Sequence, residues 1–392
     1  MPSDVLSMWK SSLQRGLRDL EERSQLRHLA EIRGVNFCSN DYLNLSENPE
    51  LRAAVAEAVA HSERIGGTGS RLLSGQSEEW RELEEEFAAF AGTEAALYFS
   101  SGYAANVGLI SSLLGRDDSV YSDALNHASL IDGVRLSGAR KVIYPHLDLN
   151  VLEKALRQEA GAPWRRVIVT ETVFSMDGDV APLADLAALA EKYGAALIVD
   201  EAHATAVHGP GGRGLAVQAG IERQILASVH TCGKALAAAG AFVCGPTALK
   251  DHLINNARTF IFSTALPPYF AKQIAAAVRI ASAMDPSRLT LLNGAARLCD
   301  VLRKEGFDVA NTASQIVPVI IGTNDAALLV ASHLQRDGFA VRAIRPPTVP
   351  EGRSRLRLSL TGQISEFELM RLAQSLTAWR TSLRAPAIAR HA

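Results

Sequence analysis

Short apolar runs alternate with helical stretches along most of the chain from about Leu51. Runs of this length, separated by helices, are typical of parallel strands that helices cover on both faces. The pattern therefore predicts an α/β fold whose large domain has a mainly parallel sheet sandwiched by helices. The predicted strands are residues 95–99, 119–121, 141–144, 167–170, 196–199 and 225–229.

The pattern changes after a helix that begins near Pro268, where strand candidates at 316–321, 340–344 and 356–360 predict a smaller α+β domain. For 392 residues, two or three structural units are expected. The first 20 residues predict an amphipathic helix that docks on the body. We expect an N-terminal helical segment over 1–45, a large domain over 46–285, a small C-terminal domain over 286–385 and a disordered tail over 386–392.

The composition is that of an ordinary folded protein, with 47% hydrophobic residues, 21% charged residues and a net charge of -2. This charge balance gives no reason to expect nucleic acid or a membrane as a partner, and no apolar run approaches the length of a membrane span. The four cysteines are scattered without C-x-x-C spacing, which favours reduced thiols over disulfides or a metal site. We therefore expect a cytoplasmic protein that binds no metal.

Polar residues follow five of the predicted strands. In open α/β sheets, ligands bind beyond the carboxyl ends of the strands. We therefore expect these residues to converge on one crevice. In chain order they are Gly102 and Tyr103, Asp123 to His127, Glu171 and Ser175, Asp200 and His203, and Thr231 and Lys234.

Four of these residues suggest cofactor chemistry. A carboxylate such as Asp200 is costly to bury unless it faces a cation, which a protonated pyridine nitrogen would supply; the alternative is that Asp200 caps the next helix. A desolvated lysine such as Lys234 can form a Schiff base, although a lone lysine is more often a surface residue. Gly102 opens a helix whose free amides suit a phosphate. His127 either stacks on an aromatic cofactor or is structural.

Other enzyme classes fit the sequence poorly. The glycine-rich residues 66–70 give neither G-x-G-x-x-G nor a following G-K-[ST], which disfavours nicotinamide dehydrogenases and P-loop enzymes. The chain has no G-x-S-x-G motif, so an α/β-hydrolase would lack its nucleophile. The acidic stretch from Asp177 to Asp179 lacks the later glutamate of a calcium loop and is interpreted as a turn.

Motifs over nearly the whole chain, from about Trp9 to Leu376, resemble the α-oxoamine synthases, a family of fold-type-I pyridoxal-phosphate (PLP) enzymes. The resemblance implies the fold of a PLP-dependent transferase, with PLP bound to the large domain. The motifs that carry it are residues 39–43 (SNDYL), 125–130 (LNHASL), 173–179 (VFSMDGD), 200–203 (DEAH), 231–234 (TCGK) and 263–268 (STALPP).

The resemblance also implies which residues surround the cofactor ring. Lys234 would carry PLP as a Schiff base and remove the α-proton, Asp200 would pair with the pyridine nitrogen, and His127 would stack on the ring. His203 and Ser175 would hydrogen-bond the 3-hydroxyl group. The implied catalytic residues are thus Lys234, His127, Asp200 and His203.

The same resemblance assigns the phosphate and the substrate carboxylates. Alternation over residues 355–360 places the leucines towards the small-domain core and the arginines towards a possible site. Arg355 is therefore a candidate for gripping a carboxylate, whereas we expect Arg357 to be a surface arginine that pairs with an acid. The phosphate would be held by Gly102, Tyr103 and Thr231 with Ser263 and Thr264 of the partner subunit, and Arg27 is the second carboxylate candidate.

Residues 343–350 (AIRPPTVP) and 355–357 (RLR) look most like the family branch that joins L-alanine to a pimeloyl thioester, carried by coenzyme A or by an acyl carrier protein. That branch releases carbon dioxide and forms an amino ketone, and the family shares its active site between the subunits of a homodimer. One alternative is a sibling that uses glycine or serine, such as a 2-amino-3-oxobutyrate CoA ligase. Another is a non-catalytic protein that keeps the fold, which would require the loss of Lys234 or Asp200.

Five positions depart from the family pattern. Because alanine resists a positive φ and adds a methyl group, the two alanines are expected to alter loop shape near the cofactor. Asn44, Ala206 and Ala239 stand where glycine is usual, Leu147 where asparagine is expected, and Trp80 where histidine is common.

Overall fold

The computed structural model describes residues 2–161 and 163–384, so the predicted tail over 386–392 lies outside the described residues. Its centre is a seven-stranded sheet in the order β2-β8-β7-β6-β5-β3-β4. The strands of the chain are β1 (Val35–Asn36), β2 (Ala95–Phe99), β3 (Ser119–Asp123), β4 (Arg140–Tyr144), β5 (Arg166–Glu171), β6 (Ala196–Asp200), β7 (Ala227–Thr231), β8 (Ala241–Gly245), β9 (Ile316–Gly322), β10 (Phe339–Ala340), β11 (Ala343–Ile344) and β12 (Ser354–Ser359).

The six strands predicted for the large sheet are confirmed, with ends that shift by no more than two residues. Strand β8 was missed, and it pairs antiparallel with both β2 and β7. Residues 232–240, which join β7 to β8, are too few for the crossover that a parallel pairing needs, so this connection makes a hairpin. The sheet is therefore mainly parallel, as predicted, with one reversed strand.

Helices cover both faces of this sheet. Successive strand residues enter separate cores, with Val167 and Val169 on one face and Ile168 on the other. Local caps fix several helix starts; Asn48, for example, accepts a hydrogen bond from the Leu51 amide. The helices are α1 (Pro2–Glu22), α2 (Pro49–Ala60), α3 (Glu78–Ala91), α4 (Gly102–Leu113), α5 (Ala128–Ser137), α6 (Leu149–Gln158), α7 (Leu183–Lys192), α8 (Leu215–Gln218), α9 (Thr247–Asn256), α10 (Arg258–Ile261), α11 (Pro268–Ser282), α12 (Asp285–Lys304), α13 (Asn324–Arg336) and α14 (Glu366–Arg384), with 3-10 turns at Leu45–Glu47 and Pro210–Gly212.

The C-terminal part of the chain forms a second, antiparallel sheet in the order β11-β12-β9. Strand β12 buries Leu356 and Leu358 in the core and, by alternation, presents Arg355 and Arg357 on its other face. The strand predicted at 340–344 is divided into β10, which pairs with β1, and β11, which pairs with β12. The domain boundaries given above remain a prediction.

The N-terminal helix α1 does not dock on the body, so that expectation is wrong. Its apolar residues Val5, Leu6, Trp9 and Leu13 are 58–65% exposed. After Glu22 the chain continues without regular secondary structure to residue 34, which leaves the helix away from the core. Among the described helices, none combines the length and apolar character needed to cross a membrane.

Candidate active site

The carboxyl ends of the central strands bring the predicted residues together. The parallel register sets Glu171 of β5 beside Asp200 of β6, and Asp200 beside Val229 of β7. Gly102 begins α4 directly after β2, and a Cβ on Gly102 would lie 3.5 Å from the Thr231 Oγ1 atom at the end of β7. The N-terminus of a helix thus meets a hydroxyl and a cluster of acids at one edge of the sheet.

Lys234 lies at the centre of this edge. Its Nζ atom is 2.7 Å from His203 Nε2, and the Tyr42 hydroxyl is 2.6 Å from His203 Nδ1. Burial lowers the pKa of Lys234 to about 8, although the charges of Asp200 and Glu171 act in the opposite direction. Burial, with the charge of Lys234, also holds the pKa of His203 well below its usual value. The lysine is therefore not the surface residue of the alternative interpretation, and its amine is available as a base near neutral pH.

Asp200 is buried and held from two sides. Its Oδ2 atom accepts a hydrogen bond of 2.6 Å from Asn106 Nδ2, and its Oδ1 atom accepts one of 2.8 Å from the Ala202 amide. Residues 202–207 form turns, so Asp200 does not cap an α-helix. Asn106 had not been singled out; the signal that could have found it is a polar residue one turn into the otherwise apolar helix α4.

Glu171 is a second buried acid in contact with the site, and sequence reasoning gave it no role. Burial and the neighbouring charge of Asp200 raise the pKa of Glu171 to about 8. Its Oε2 atom accepts a hydrogen bond of 3.1 Å from the Ser175 amide, which fixes the turn that carries Ser175. The paired carboxylates thus share one edge of the sheet with a single lysine.

His127 and Ser175 line a cavity of about 520 Å³ at the mouth of the site. His127 is exposed, and its Nδ1 atom is 2.7 Å from the Ser129 hydroxyl. Tyr103, in contrast, is 47% exposed, and its hydroxyl hydrogen-bonds Asp132. Other residues of the cavity wall are Leu125, Ile131, Met176, Val349, Pro350 and Arg355.

The arginines of β12 differ from expectation. Arg357 is buried and pairs with no acid among the described residues; it donates to Ser175 O and, at 3.1 Å, to Asn40 Oδ1. The interpretation of Arg357 as a surface arginine is therefore wrong, because β12 packs against the turn that carries Ser175. Arg355 is also buried and forms an ion pair with Asp177.

Arg27 lies on the surface beside this mouth, where it donates a hydrogen bond of 3.3 Å to Pro346 O. Ser263 and Thr264 make contacts away from this mouth. The Ser263 hydroxyl donates a hydrogen bond of 2.6 Å to Thr259 O, and Thr264 forms an isolated β-bridge with Ser70. Their predicted reach to the phosphate of a partner subunit stays a prediction.

His146 joins the two loops that flank the cavity. Its Nδ1 atom is 2.9 Å from Asp123 Oδ1, at the start of the loop to His127, and its Nε2 atom is 2.7 Å from Asp179 Oδ2, in the turn after Ser175. Burial lowers the pKa of His146, but hydrogen bonds to both carboxylates outweigh it and raise the pKa to about 10. A charged imidazole therefore bridges two acids beneath the site.

Three of the five departures from the family pattern occupy left-handed backbone: Asn44 (φ 59°), Leu147 (φ 55°) and Ala206 (φ 66°). This conformation explains why glycine or asparagine is usual there. Ala239 is not among the left-handed residues, so a positive φ does not explain why glycine is usual at that position. Trp80 is fully buried and stacks on Tyr98 at 4.3 Å.

A family profile and a sequence relative both match the chain over most of its length. The profile of the family described as aminotransferase class I and II matches residues 32–376. An 8-amino-7-oxononanoate synthase of Geobacter sulfurreducens is 46% identical over 378 residues, which cover 95% of this chain and 96% of that protein.

Solved structures give the same picture. A serine palmitoyltransferase from S. paucimobilis with a bound PLP–myriocin aldimine has a TM-score of 0.87 and 29% identity, covering 95% of this chain and 98% of that one. An 8-amino-7-oxononanoate synthase from Francisella tularensis has a TM-score of 0.77 and 28% identity, with coverage of 90% and 99%.

Proposed function

This chain belongs to the aminotransferase class I and II family, and within it to the α-oxoamine synthases, and from that membership we infer that it is a PLP-dependent C-acyltransferase. It condenses L-alanine with a pimeloyl thioester to give 8-amino-7-oxononanoate, carbon dioxide and the free thiol carrier, a step of biotin synthesis. The observation that carries this conclusion is the buried amine of Lys234 beside Asp200, in a chain 46% identical to such a synthase over 95% of its length.

The residues at the edge of the sheet fit PLP. Asn106 Oδ1 and Glu171 Oε1 are buried polar atoms with no hydrogen-bond partner among the described residues, and both side chains surround Asp200. The free amides at the start of α4 lie beside Thr231 and suit a phosphate group. A buried carboxylate suits a protonated ring nitrogen, because the charge pair offsets the cost of burying either ion.

The proposed contacts follow this fit. Lys234 would hold the cofactor covalently, Asp200 would accept a hydrogen bond from the ring nitrogen, and His127 would cover one ring face. Bound there, PLP supplies an electron sink for negative charge at the α-carbon of the amino acid. The remaining contacts proposed are those of His203 and Ser175 with the 3-hydroxyl, and of Gly102, Tyr103 and Thr231, with Ser263 and Thr264 of the partner subunit, with the phosphate.

The protein's own groups move the proton. A lysine whose pKa burial lowers to about 8 is partly neutral near pH 7.5, so the freed Lys234 amine can take the α-proton of alanine and return a proton at the end of the cycle. His203 stays neutral because burial lowers its pKa, and it orients the amine through Nε2. Tyr42 fixes the histidine ring through Nδ1.

We propose that the two arginines of β12 bind different carboxylates. The charge of Arg357 lowers the pKa of both Lys234 and His203, so its guanidinium lies close enough to the reacting centre to grip the carboxylate of alanine. Arg355 lines the cavity of about 520 Å³, whose apolar wall suits a pimeloyl chain, and would bind the far carboxylate after releasing Asp177. Arg27 remains a second candidate at the entrance.

We further propose that the enzyme is a cytoplasmic homodimer with a shared site. Large apolar side chains next to the segment assigned to the partner's phosphate are exposed, including Phe262 at 71% and Leu73 at 83%. Large apolar side chains left this exposed support a contact with a second subunit. Sedimentation should show a dimer at assay concentrations, and an active monomer would contradict the shared site.

A substrate panel tests the proposed reaction. Holoenzyme is offered alanine, glycine or serine with pimeloyl, acetyl or palmitoyl thioesters of coenzyme A or acyl carrier protein, and each product is identified by mass. We expect alanine with a pimeloyl thioester to give the highest kcat/KM. A preference for glycine with an acetyl thioester, or for serine with a palmitoyl thioester, would instead support a sibling of the family.

A further inference from the structure

A small cavity lies beside α3, apart from the mouth of the active site. Its volume is about 20 Å³, which is enough for one water molecule or one small ion. The cavity is lined by the loop before α3, by the start of the connection after β2 and by the segment after α10. Its wall includes Arg71, Trp80, Ser100, Phe260, Ser263 and Thr264.

Two hydrogen-bond donors of this wall have no acceptor in the described part of the chain. Arg71 donates one hydrogen bond from Nε to Gln76 Oε1 and another from Nη2 to Glu84 Oε1. Its Nη1 atom is buried and has no acceptor among the described residues. Trp80 is 0% exposed, and its Nε1 atom is also unpaired. A buried donor without an acceptor costs roughly 1–3 kcal/mol, so a pair of them at one cavity calls for a shared acceptor.

The charges around the cavity do not balance. The buried carboxylate of Glu84 accepts from Arg71 at 3.0 Å and from Lys250 at 2.9 Å, so two cations share one acid. Glu84 also accepts from the Tyr98 amide and is not among the described residues that line the cavity, none of which carries a carboxylate. Arg71, Lys250 and Glu84 together therefore carry one net positive charge, with the side chain of Arg71 only 9% exposed.

We propose that this cavity binds a monovalent, halide-sized anion such as chloride between Arg71 and Trp80. The anion accepts from the guanidinium and the indole N–H, and it neutralises the excess charge. Thr264 supplies a further hydroxyl in the same wall, whereas the Ser263 hydroxyl already donates to Thr259 O. A water molecule would fill the same volume but would leave the charge uncompensated.

The bound anion would tie together three segments of the chain. The Ala265 amide donates to Gly69 O at 2.9 Å, and the guanidinium of Arg71 lies 5.5 Å from the Trp80 ring and 5.9 Å from the Phe260 ring. The anion adds a polar link across the same junction, so its loss should loosen the segment that carries Ser263. The inference rests on these contacts and is independent of the proposed reaction.

The direct test is crystallography of the wild-type holoenzyme grown in sodium bromide. Diffraction at the bromine edge should give an anomalous peak in the cavity, within hydrogen-bond reach of Arg71 Nη1 and Trp80 Nε1. Density for water alone, or anomalous peaks only on the surface, would overturn the proposal. This test needs no variant that must fold.

Thermal unfolding of the holoenzyme gives a second measurement. At equal ionic strength, chloride or bromide should raise the Tm by at least about 2 °C over gluconate. Trp80→Phe keeps an aromatic ring but removes the N–H donor, so the halide-dependent shift should fall by more than half. Trp164→Phe, at a partly exposed indole away from the cavity, is the matched control and should keep the full shift. An equal shift in all three proteins would contradict the site.

Discussion

The Nζ atom of Lys234 lies 2.7 Å from the Nε2 atom of His203; the histidine is buried and the lysine is half-buried. His203 is neutral at neutral pH because burial lowers its pKa, whereas Lys234, whose pKa burial lowers to about 8, is still mostly protonated at pH 7. The lysine can donate a hydrogen bond to the neutral imidazole, and the neutral fraction of its amine grows as the pH approaches 8. The contact therefore prepares the lysine both to capture the cofactor and to accept a proton.

Capture of PLP by the apoenzyme should depend on pH through Lys234. The neutral amine is the nucleophile, and its fraction falls about tenfold per pH unit below a pKa of about 8. Stopped-flow absorbance after addition of PLP should show a rate that rises with pH up to about 8 and is level above it. A rate that keeps rising to pH 10 would mean that the lysine is not desolvated.

Asp200→Asn should retain the fold and some cofactor binding but lose most turnover. The substitution removes the charge that we propose keeps the ring nitrogen protonated, and a charge-assisted hydrogen bond contributes about 1.5–3 kcal/mol. The expected fall in kcat is at least about tenfold. Asp185→Asn, at an exposed site on α7, should leave kcat unchanged. Near-normal turnover in Asp200→Asn would refute the role.

Substitutions of Arg355 and Arg357 should each raise KM for a different substrate. Arg357→Lys keeps the charge but loses the planar fork, so KM for alanine should rise by an amount equivalent to about 1–3 kcal/mol. Arg355→Lys should act on KM for the pimeloyl thioester instead. Each variant is the control for the other. If both change the same KM, the division of roles is wrong.

The bridge at His146 should make stability depend on pH. The folded-state pKa of about 10 lies above the ordinary value of 6.5. Between these two pH values the folded state therefore binds more protons than the unfolded state. The stabilisation is complete below about pH 6.5 and is lost as pH rises through about 10, by an amount on the order of a few kcal/mol. In urea unfolding, His146→Gln should reduce the fall in the free energy of unfolding between about pH 6.5 and pH 10. His61→Gln, at an exposed site, should leave that fall unchanged.

The left-handed turn at Asn44 gives a test of backbone strain. Asn44→Ala should lower the free energy of unfolding by about 1 kcal/mol, because alanine tolerates the left-handed φ of 59° less well than asparagine does. Asn44→Gly should stay within about 0.5 kcal/mol of wild type, since glycine adopts this conformation freely. Equal losses in both variants would point to side-chain contacts as the cause.

Most of the sheet and the position of the site could be predicted from the sequence. Strand ends determine where Asp200 and Lys234 lie, and apolar runs mark strand ends, so both residues could be placed at one edge. The motifs also identified the family, which the comparisons confirm. Strand β8 was missed although residues 241–245 are a short apolar run, and its reversed direction follows from the nine residues that join it to β7.

Contacts between distant segments could not be predicted in this way. Tyr42 reaches His203 across 161 residues, and Arg357 reaches Asn40 across 317. No local pattern encodes such a distance, and alternation in β12 gave only the face on which Arg357 lies. The prediction that α1 docks on the body was wrong for the same reason. An amphipathic pattern predicts that a helix has an apolar face but not which residues cover that face.

The central claim is that this site joins alanine to a pimeloyl group with loss of the alanine carboxylate. The direct measurement uses holoenzyme, a pimeloyl thioester, and alanine labelled with ¹³C at either C1 or C2, with mass analysis of the amino ketone. We predict a product that keeps the C2 label and loses the C1 label as carbon dioxide, and no product from Lys234→Ala. A product that keeps the C1 label, or one formed equally well without Lys234, would contradict this account.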